Sequence, residues 1–262
     1  MPDPDLNRLL DVAAAAAEFA GAHALKHYRR RDRVLRSLAH DVKLELDVEC
    51  QQVASGIIRS AFPDHAILGE EGGHDAPGEG HRWIIDPIDG TVNFTHGLPV
   101  WCCSIAVEHQ GRARAGAVRL PMLGELYTAT AEGEARRNGD VIRVSDTPQM
   151  AEGMVYTGVL EHGQDGGESR RVFSRLASEF RKVRILGSAA VELCYVACGR
   201  GDAYIETTIH LWDLAAGALL IERAGGRCAV LARKNALCMS FGASNGRIAP
   251  AFEAAMRDAL RP

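Results

Sequence analysis

The sequence predicts a mixed α/β fold in two parts, an α+β lobe over residues 1–148 and an α/β lobe over residues 149–262. Three observations carry this reading. Two helical periods open the chain, a run of strand-like segments separated by Gly, Pro and Asn-Gly follows, and beyond Met154 strand and helix patterns alternate.

From Asp5 to about Arg31, residues Leu6, Leu9, Leu10, Ala13, Ala17, Ala20, Ala24 and Tyr28 recur at three and four, the period of an amphipathic helix packed on a sheet. A second helical pattern, from about Glu45 to Phe62, carries Leu46, Val53, Ile57 and Ile58 on one side and stops at Phe62-Pro63-Asp64. Ala66–Gly69 and Trp83–Ile85 read as short apolar strands, each ending where acidic residues begin. Val100–Glu108, Ala113–Arg119, Leu126–Ala131 and Val141–Val144 read as an antiparallel sheet, with Asn138-Gly139 the clearest hairpin turn. The remainder predicts a strand at Met154–Val159, a helix near Glu168–Phe180, a strand at Val183–Leu186 and a helix over Ser188–Cys198. A strand at Ala203–Glu206, a helix from about Asp213 to Ala224, two more strands and a last helix over Ala249–Leu260 complete the pattern, with no internal repeat.

A hydrophobic content of 47% is enough for a sizeable core at this length. Lys and Arg total 30 against 34 Asp and Glu, a formal charge of −4, so the basic field that accompanies nucleic-acid binding is missing. An anionic ligand must then be captured locally, by a bound cation or by backbone N–H groups. The seven Cys are odd in number and sit mostly in apolar runs, which predicts reduced thiols and a reducing compartment. Cys194 and Cys198 have helical spacing, but a second ligand pair is lacking, which argues against zinc. Residues Met1 to Arg31 lack the order of a signal peptide and no apolar run approaches ~20 residues, so the expectation is a soluble cytoplasmic protein with no membrane partner.

The strongest local feature is Asp86-Pro87-Ile88-Asp89-Gly90-Thr91, two carboxylates three residues apart at a strand end, followed by Gly and a hydroxyl. Carboxylate and carbonyl oxygens at close range suit a hard divalent ion such as Mg²⁺, which binds through a few carboxylates, carbonyls and substrate phosphate oxygens. A helix starting after Gly90 would also offer N–H groups to a phosphate. Taken alone, the segment fits an ordinary Asp-Pro and Asp-Gly turn equally well. Gly69-Glu70-Glu71-Gly72-Gly73 alone reads as a solvated loop, and Asp213 after Trp212 reads as a helix N-cap. Their joint occurrence favours a metal-assisted phosphoryl site.

The same segments resemble the inositol monophosphatase family, the lithium-sensitive, Mg²⁺-dependent sugar and polyol phosphatases. That family combines Gly-Glu-Glu, Trp-Ile-Ile-Asp-Pro-Ile-Asp-Gly-Thr-x-Asn-Phe and Trp-Asp-x-Ala-Ala-Gly in this order, matched here by Gly69-Glu70-Glu71, Trp83 to Phe94 and Trp212 to Gly217. Gly187-Ser188-Ala189-Ala190, Gly201 to Glu206 and Glu222 to Gly226 agree as well, so the likeness spans about residues 40 to 230. It implies the layered α-β-α-β-α sandwich that the family shares with fructose bisphosphatases, and hydrolysis of a small phosphate monoester.

Residue by residue, the resemblance implies that Glu70, Asp86 and the Ile88 carbonyl hold one Mg²⁺ and that Asp86, Asp89 and Asp213 hold a second, with a third near Glu70. Thr91 with Asp47 would orient and deprotonate the attacking water. Asp89, Gly90 and Thr91 would face the phosphate, and Ser188, Ala189 and Glu206 the alcohol. No His is assigned; His96 and His210 are read as structural. Relatives are commonly homodimers, so a homodimer is the expectation on that basis.

One segment departs from the family pattern. In Asp41 to Asp47 a Leu44 stands where relatives have Thr, preceded by Lys43, and Arg36 is only a loose match to an upstream lysine. Inositol monophosphate or a related polyol phosphate is the leading substrate, Asn93-Phe94 leaning that way. Histidinol phosphate is the nearest rival, with Glu206 or Glu192 facing its ammonium. A non-catalytic binding protein that keeps the fold is the reading from a different class.

Overall fold

The computed structural model describes residues 5–37, 42–72, 75, 80–158 and 165–261. Helix α1 spans Leu6–Lys26, with the Asp5 carboxylate capping the Asn7 N–H at 3.1 Å, and a 3₁₀ turn over Tyr28–Arg30 follows it. Strands β1 (Val34–Ser37) and β2 (Val42–Leu44) form a small antiparallel hairpin that leads straight into α2 (Glu45–Ala61). This hairpin has no alternating apolar signal, which is why the sequence alone does not announce it.

Next come β3 (Ala66–Gly69), β4 (His81–Asp89), the short helix α3 (Thr91–His96), β5 (Cys102–His109), β6 (Arg112–Leu120) and β7 (Glu125–Thr130). Two-residue strands β8 (Arg136–Arg137) and β9 (Asp140–Val141) close a sheet ordered β3 to β9, parallel only at β3–β4. Asn138 and Gly139, with φ of 50° and 89°, make the hairpin turn, both in the left-handed region that Asn and Gly tolerate. The strand expected over 141–144 is cut to Asp140–Val141. Ile142 bonds instead to the Ala135 carbonyl and Val144 to that of Ala224.

The second sheet takes β10 (Met154–Thr157), then α4 (Asp165–Glu179), β11 (Lys182–Arg184), α5 (Ala189–Ala197), β12 (Ala203–His210), α6 (Leu211–Arg223), β13 (Arg227–Arg233), β14 (Cys238–Ser244) and α7 (Ala249–Ala259). Its strand order is β11-β10-β12-β14-β13, parallel on one side of β12 and antiparallel on the other.

Three apolar clusters hold five layers together. Helices α1 and α2 cover one face of the first sheet through Leu9, Ala13, Leu46, Ile58, Trp83 and Ile105. Helices α5 and α6 fill the space between the sheets with Leu193, Val196, Leu220 and Ile221 against Val118, Tyr127 and Tyr204. Helices α4 and α7 cover the outer face of the second sheet through Val172, Leu176, Phe252 and Met256. The alternation α-β-α-β-α is the layered sandwich that the sequence resemblance implies. Among the described residues no helix is long and apolar enough to cross a membrane.

Candidate active site

Asp86 and Asp89 are three residues apart, and in a regular strand such residues point to opposite faces. Strand β4 resolves this with a bulge: Asp86 pairs with Ser104 and Asp89 with Cys102, so three steps on β4 oppose two on β5. The extra residue lies in the Pro87-Ile88 stretch, where a proline removes no ladder hydrogen bond. Both carboxylates therefore line one cleft of ≈ 610 Å³.

Glu70 reaches the same cleft from the end of β3. Its N–H donates to the Ile85 carbonyl at 3.1 Å, placing it beside Asp86. The turn is clamped by Gln51 of α2, whose Oε1 accepts from the Glu71 N–H at 2.9 Å and whose Nε2 donates to the Gly72 carbonyl at 2.8 Å. Sequence reading missed Gln51, because nothing local marks a helix residue as the brace of a distant loop.

Asp213 comes from the first turn of α6. The sequence reads it as an N-cap, and the structure corrects this: α6 starts at Leu211 without a break from β12, and Asp213 is the third helical residue. Its Oδ2 reaches back to the His210 N–H at 2.9 Å, half of a capping box. Asp47 does the same on α2, accepting from the Leu44 N–H at 2.7 Å. Leu44 has no side-chain oxygen to complete its box; it is fully buried instead.

Asp89 is the most firmly held carboxylate. Its Oδ2 accepts from the Ser188 hydroxyl at 2.6 Å and the Ala190 N–H at 2.7 Å, and its Oδ1 from the Ala189 N–H at 3.3 Å. Ser188 and Ala189, expected at the alcohol, line the cleft, yet their donors are committed to Asp89. The Cys102 thiol also leans on Oδ2 at 3.7 Å, and burial pushes that thiol's pKa up, so it serves as a weak donor rather than a nucleophile.

Gly90 follows at φ 90°, where a Cβ would lie 3.0 Å from the Ser188 Cβ and the Val100 carbonyl, so only glycine fits. The Thr91 hydroxyl donates to the Ile88 carbonyl at 2.9 Å, and both residues line the cleft. Asp47, 2% exposed, is not part of the lining of the cleft. Asn93 is a brace: its Nδ2 donates to the carbonyls of Val100 at 2.8 Å and Leu186 at 2.7 Å, while Phe94 packs edge-on to Tyr28 and Trp101.

Burial, then the negative charges of Glu70, Asp89 and Asp213, push the Asp86 carboxyl well above its ordinary range. Burial and the same neighbours do so for Asp213. Burial raises Asp89 as well, against the pull of its hydrogen bonds to Ser188, Ala190 and Ala189. Asp86 Oδ1 is buried without a hydrogen-bond partner among the described residues. Such a group is stabilised by protonation or by a bound cation. Among the described residues no group of three or more His, Cys, Asp or Glu is already arranged to hold a metal ion.

Cations at the cleft are few. Arg36 of β1 and Lys43 of β2 line it, Lys43 pairing with Glu71, so the hairpin missed in sequence brings both positive side chains to the acidic wall. On β12, Glu206, Thr208 and His210 alternate into the cleft, and Tyr204 donates to Glu206. The carboxyl of Glu206 is raised to about 7, chiefly by burial and further by Asp89. Glu192 is 2% exposed, and its Oε1 accepts from the Leu186 N–H at 2.6 Å. His210 stacks on Trp212 with centroids 4.8 Å apart, and His96 is exposed and outside the lining.

A model of the inositol monophosphatase family matches residues 5–257. The chain belongs to the inositol monophosphatase family. It is accordingly a phosphatase that hydrolyses phosphate monoesters. Among relatives, the Nus factor SuhB of Pasteurella multocida is 36% identical over 225 residues, 84% of each chain. The fructose-1,6-bisphosphatase/inositol-1-monophosphatase of Thermotoga maritima is 36% identical over 243 residues, 91% of this chain and 92% of that one. The solved inositol monophosphatase of Anabaena superposes with a TM-score of 0.86 at 33% identity, covering 97% of both chains. Inositol monophosphatase family membership thus rests on the whole chain, beyond the three acidic motifs that carry the resemblance in sequence.

Proposed function

We propose that this member of the family is a Mg²⁺-dependent phosphomonoesterase acting on inositol monophosphate or a closely related polyol phosphate. The observation that carries the reading is the set of four carboxylates, buried Asp86 and Asp89 with half-buried Glu70 and Asp213, delivered by three separate parts of the chain to one cleft. Glu70, Asp86 and the Ile88 carbonyl would hold one ion, Asp86, Asp89 and Asp213 a second, and a third would sit near Glu70. Bound ions supply an acidified water and neutralise charge on the transferring phosphoryl group.

The protein's own groups do the positioning. Ser188, Ala189 and Ala190 aim Asp89, and the His210 N–H aims Asp213. Thr91, anchored on the Ile88 carbonyl, would orient the attacking water, with Asp47 as the proton acceptor that the family resemblance implies. The N–H groups from Gly90 onward receive phosphate oxygens, with Arg36 and Lys43 at the same cleft to draw the dianion in. Glu206 faces the alcohol, where a carboxyl titrating near neutrality can accept or donate a hydrogen bond to a ring hydroxyl. Glu192 is held by the Leu186 N–H, which leaves Glu206 as the acid for substrate and weakens the case for an ammonium-bearing histidinol phosphate. The seven cysteines are all unpaired, in keeping with a cytoplasmic enzyme, and the assembly inferred from the family is a homodimer.

Phosphate release by metal-stripped protein, with and without Mg²⁺, tests the reading against inositol 1-phosphate, histidinol phosphate and fructose 1,6-bisphosphate. The last is included because the Thermotoga relative is named for both activities. Mg²⁺-dependent turnover that favours inositol 1-phosphate is the expected result. Preference for another ester overturns the substrate, and folded protein with neither turnover nor Mg²⁺ binding favours a non-catalytic role.

A further inference from the structure

A second cleft, of ≈ 730 Å³, lies between the two sheets on the other flank of α6. It arises from the layering. Helix α6 turns Gly217 towards Leu193 of α5, while Leu211, Leu214, Ala215, Ala218 and Leu219, buried or half-buried, line the cleft from its far side. The ends of β4, β5 and β6 and the strands β13 and β14 wall the space.

The charge here is opposite to that of the catalytic cleft. Arg82, Arg112, Arg114, Arg223 and Arg233 line it, against Glu108 and Glu222, in a chain whose net charge is −4. Arg82 is paired with Glu108 at 2.8 Å, and Arg223 donates to the Gly133 carbonyl at 2.6 Å. The exposed side chains of Arg112 and Arg233 make no hydrogen bond or ion pair with any described residue. Arg112 and Arg114 flank Ala113 at the start of β6, where the register against β5 shifts by one residue. An apolar floor lined by guanidinium groups, in a space of this size, is the composition of a small-molecule site.

We infer that this cleft binds an organic anion, a phosphate- or sulfonate-like head on an apolar body. The head meets Arg112 and Arg233, and the body lies on the α6 residues that line the cleft. The site is distinct from the catalytic one and neighbours it: β4 puts Arg82 and Ile84 into it and Asp86 into the other, with roughly 13 Å between Arg82 and Asp86 and roughly 7 Å between Ile84 and Asp86 along the strand.

Fluorescence titration of the full-length protein with 1-anilinonaphthalene-8-sulfonate tests this, since a sulfonate is not a substrate for hydrolysis. We expect saturable binding, weakened at least about tenfold in Arg112→Glu/Arg233→Glu. The control Arg29→Glu/Arg247→Glu changes charge equally at exposed arginines outside both clefts and should bind within about twofold of wild type. Ala218→Trp, which fills the floor and leaves every charge in place, should also weaken binding. Phosphatase activity retained by the arginine variants verifies their fold. Absence of saturable binding, undiminished binding by Arg112→Glu/Arg233→Glu, or an equal loss in the control pair overturns the assignment.

Discussion

Glu206→Gln separates the electrostatics of the cleft from its chemistry. In the metal-free protein the Glu206 carboxyl rises from 4.5 to about 7, because burial and the nearby Asp89 disfavour its charge. Each unit is worth about 1.4 kcal/mol, so ionised Glu206 costs the folded state on the order of 3 kcal/mol above pH 7. The sign follows from the raised value. Stability is fully present below the unfolded pKa and is lost as pH rises from 4.5 to about 7. Gln removes the charge and keeps an oxygen for the Tyr204 hydroxyl, with roughly 1 kcal/mol lost because that acceptor is neutral. The net gain at pH 8 is about 2 kcal/mol, or roughly 4–8 °C in the unfolding midpoint for a chain of this size. Thermal unfolding in EDTA at pH 4.5 and pH 8 reads it: the variant should lead at pH 8, with the lead gone at pH 4.5. A difference between variant and wild type that is the same at both values would refute the reasoning, since other acids of the cleft titrate in both proteins alike.

Asp86→Asn should raise the metal-free midpoint at neutral pH by relieving repulsion from Glu70, Asp89 and Asp213, while abolishing Mg²⁺-dependent stabilisation and hydrolysis; a metal-free midpoint below wild type would contradict this. Ser188→Ala deletes the 2.6 Å donor to Asp89 and should weaken Mg²⁺ binding by roughly 10–100-fold with little loss of fold, read by Mg²⁺ titration of the unfolding midpoint. Unchanged affinity would show that the backbone N–H groups of Ala189 and Ala190 suffice. Gly90→Ala forces a side chain to φ 90° and into contact at 3.0 Å, and should cost about 1–3 kcal/mol by urea unfolding together with most of the activity.

Much of this molecule was legible in the chain. The periods at three and four over α1 and α2, and the turn residues between β5, β6 and β7, specify element type locally, because side-chain spacing alone decides which face can be buried. The acidic groups at Glu70 and Asp86, just past or at strand ends, and at Asp213 in the opening turn of a helix, were legible as motifs. The β1–β2 hairpin was not: its three- and four-residue strands are rich in Arg, Lys and Ser, and its pairing depends on tertiary support.

By itself, the sequence determined most of the helices and strands, the family, and the residue types of an acidic site, since those follow from periodicity and motif. Only the tertiary structure decided how the residues act. The bulge in β4 turns Asp86 and Asp89 to one side, Ser188 and Ala190 reach Asp89 from about a hundred positions away, and Asn93 braces the carbonyls of Val100 and Leu186. It also set arginines from β4, β6, α6 and β13 around one cleft beside α6. The physical reason is common to all of these: local sequence sets which dihedrals and faces are favourable, whereas register, layer packing and hydrogen bonds between distant segments choose each side chain's partners.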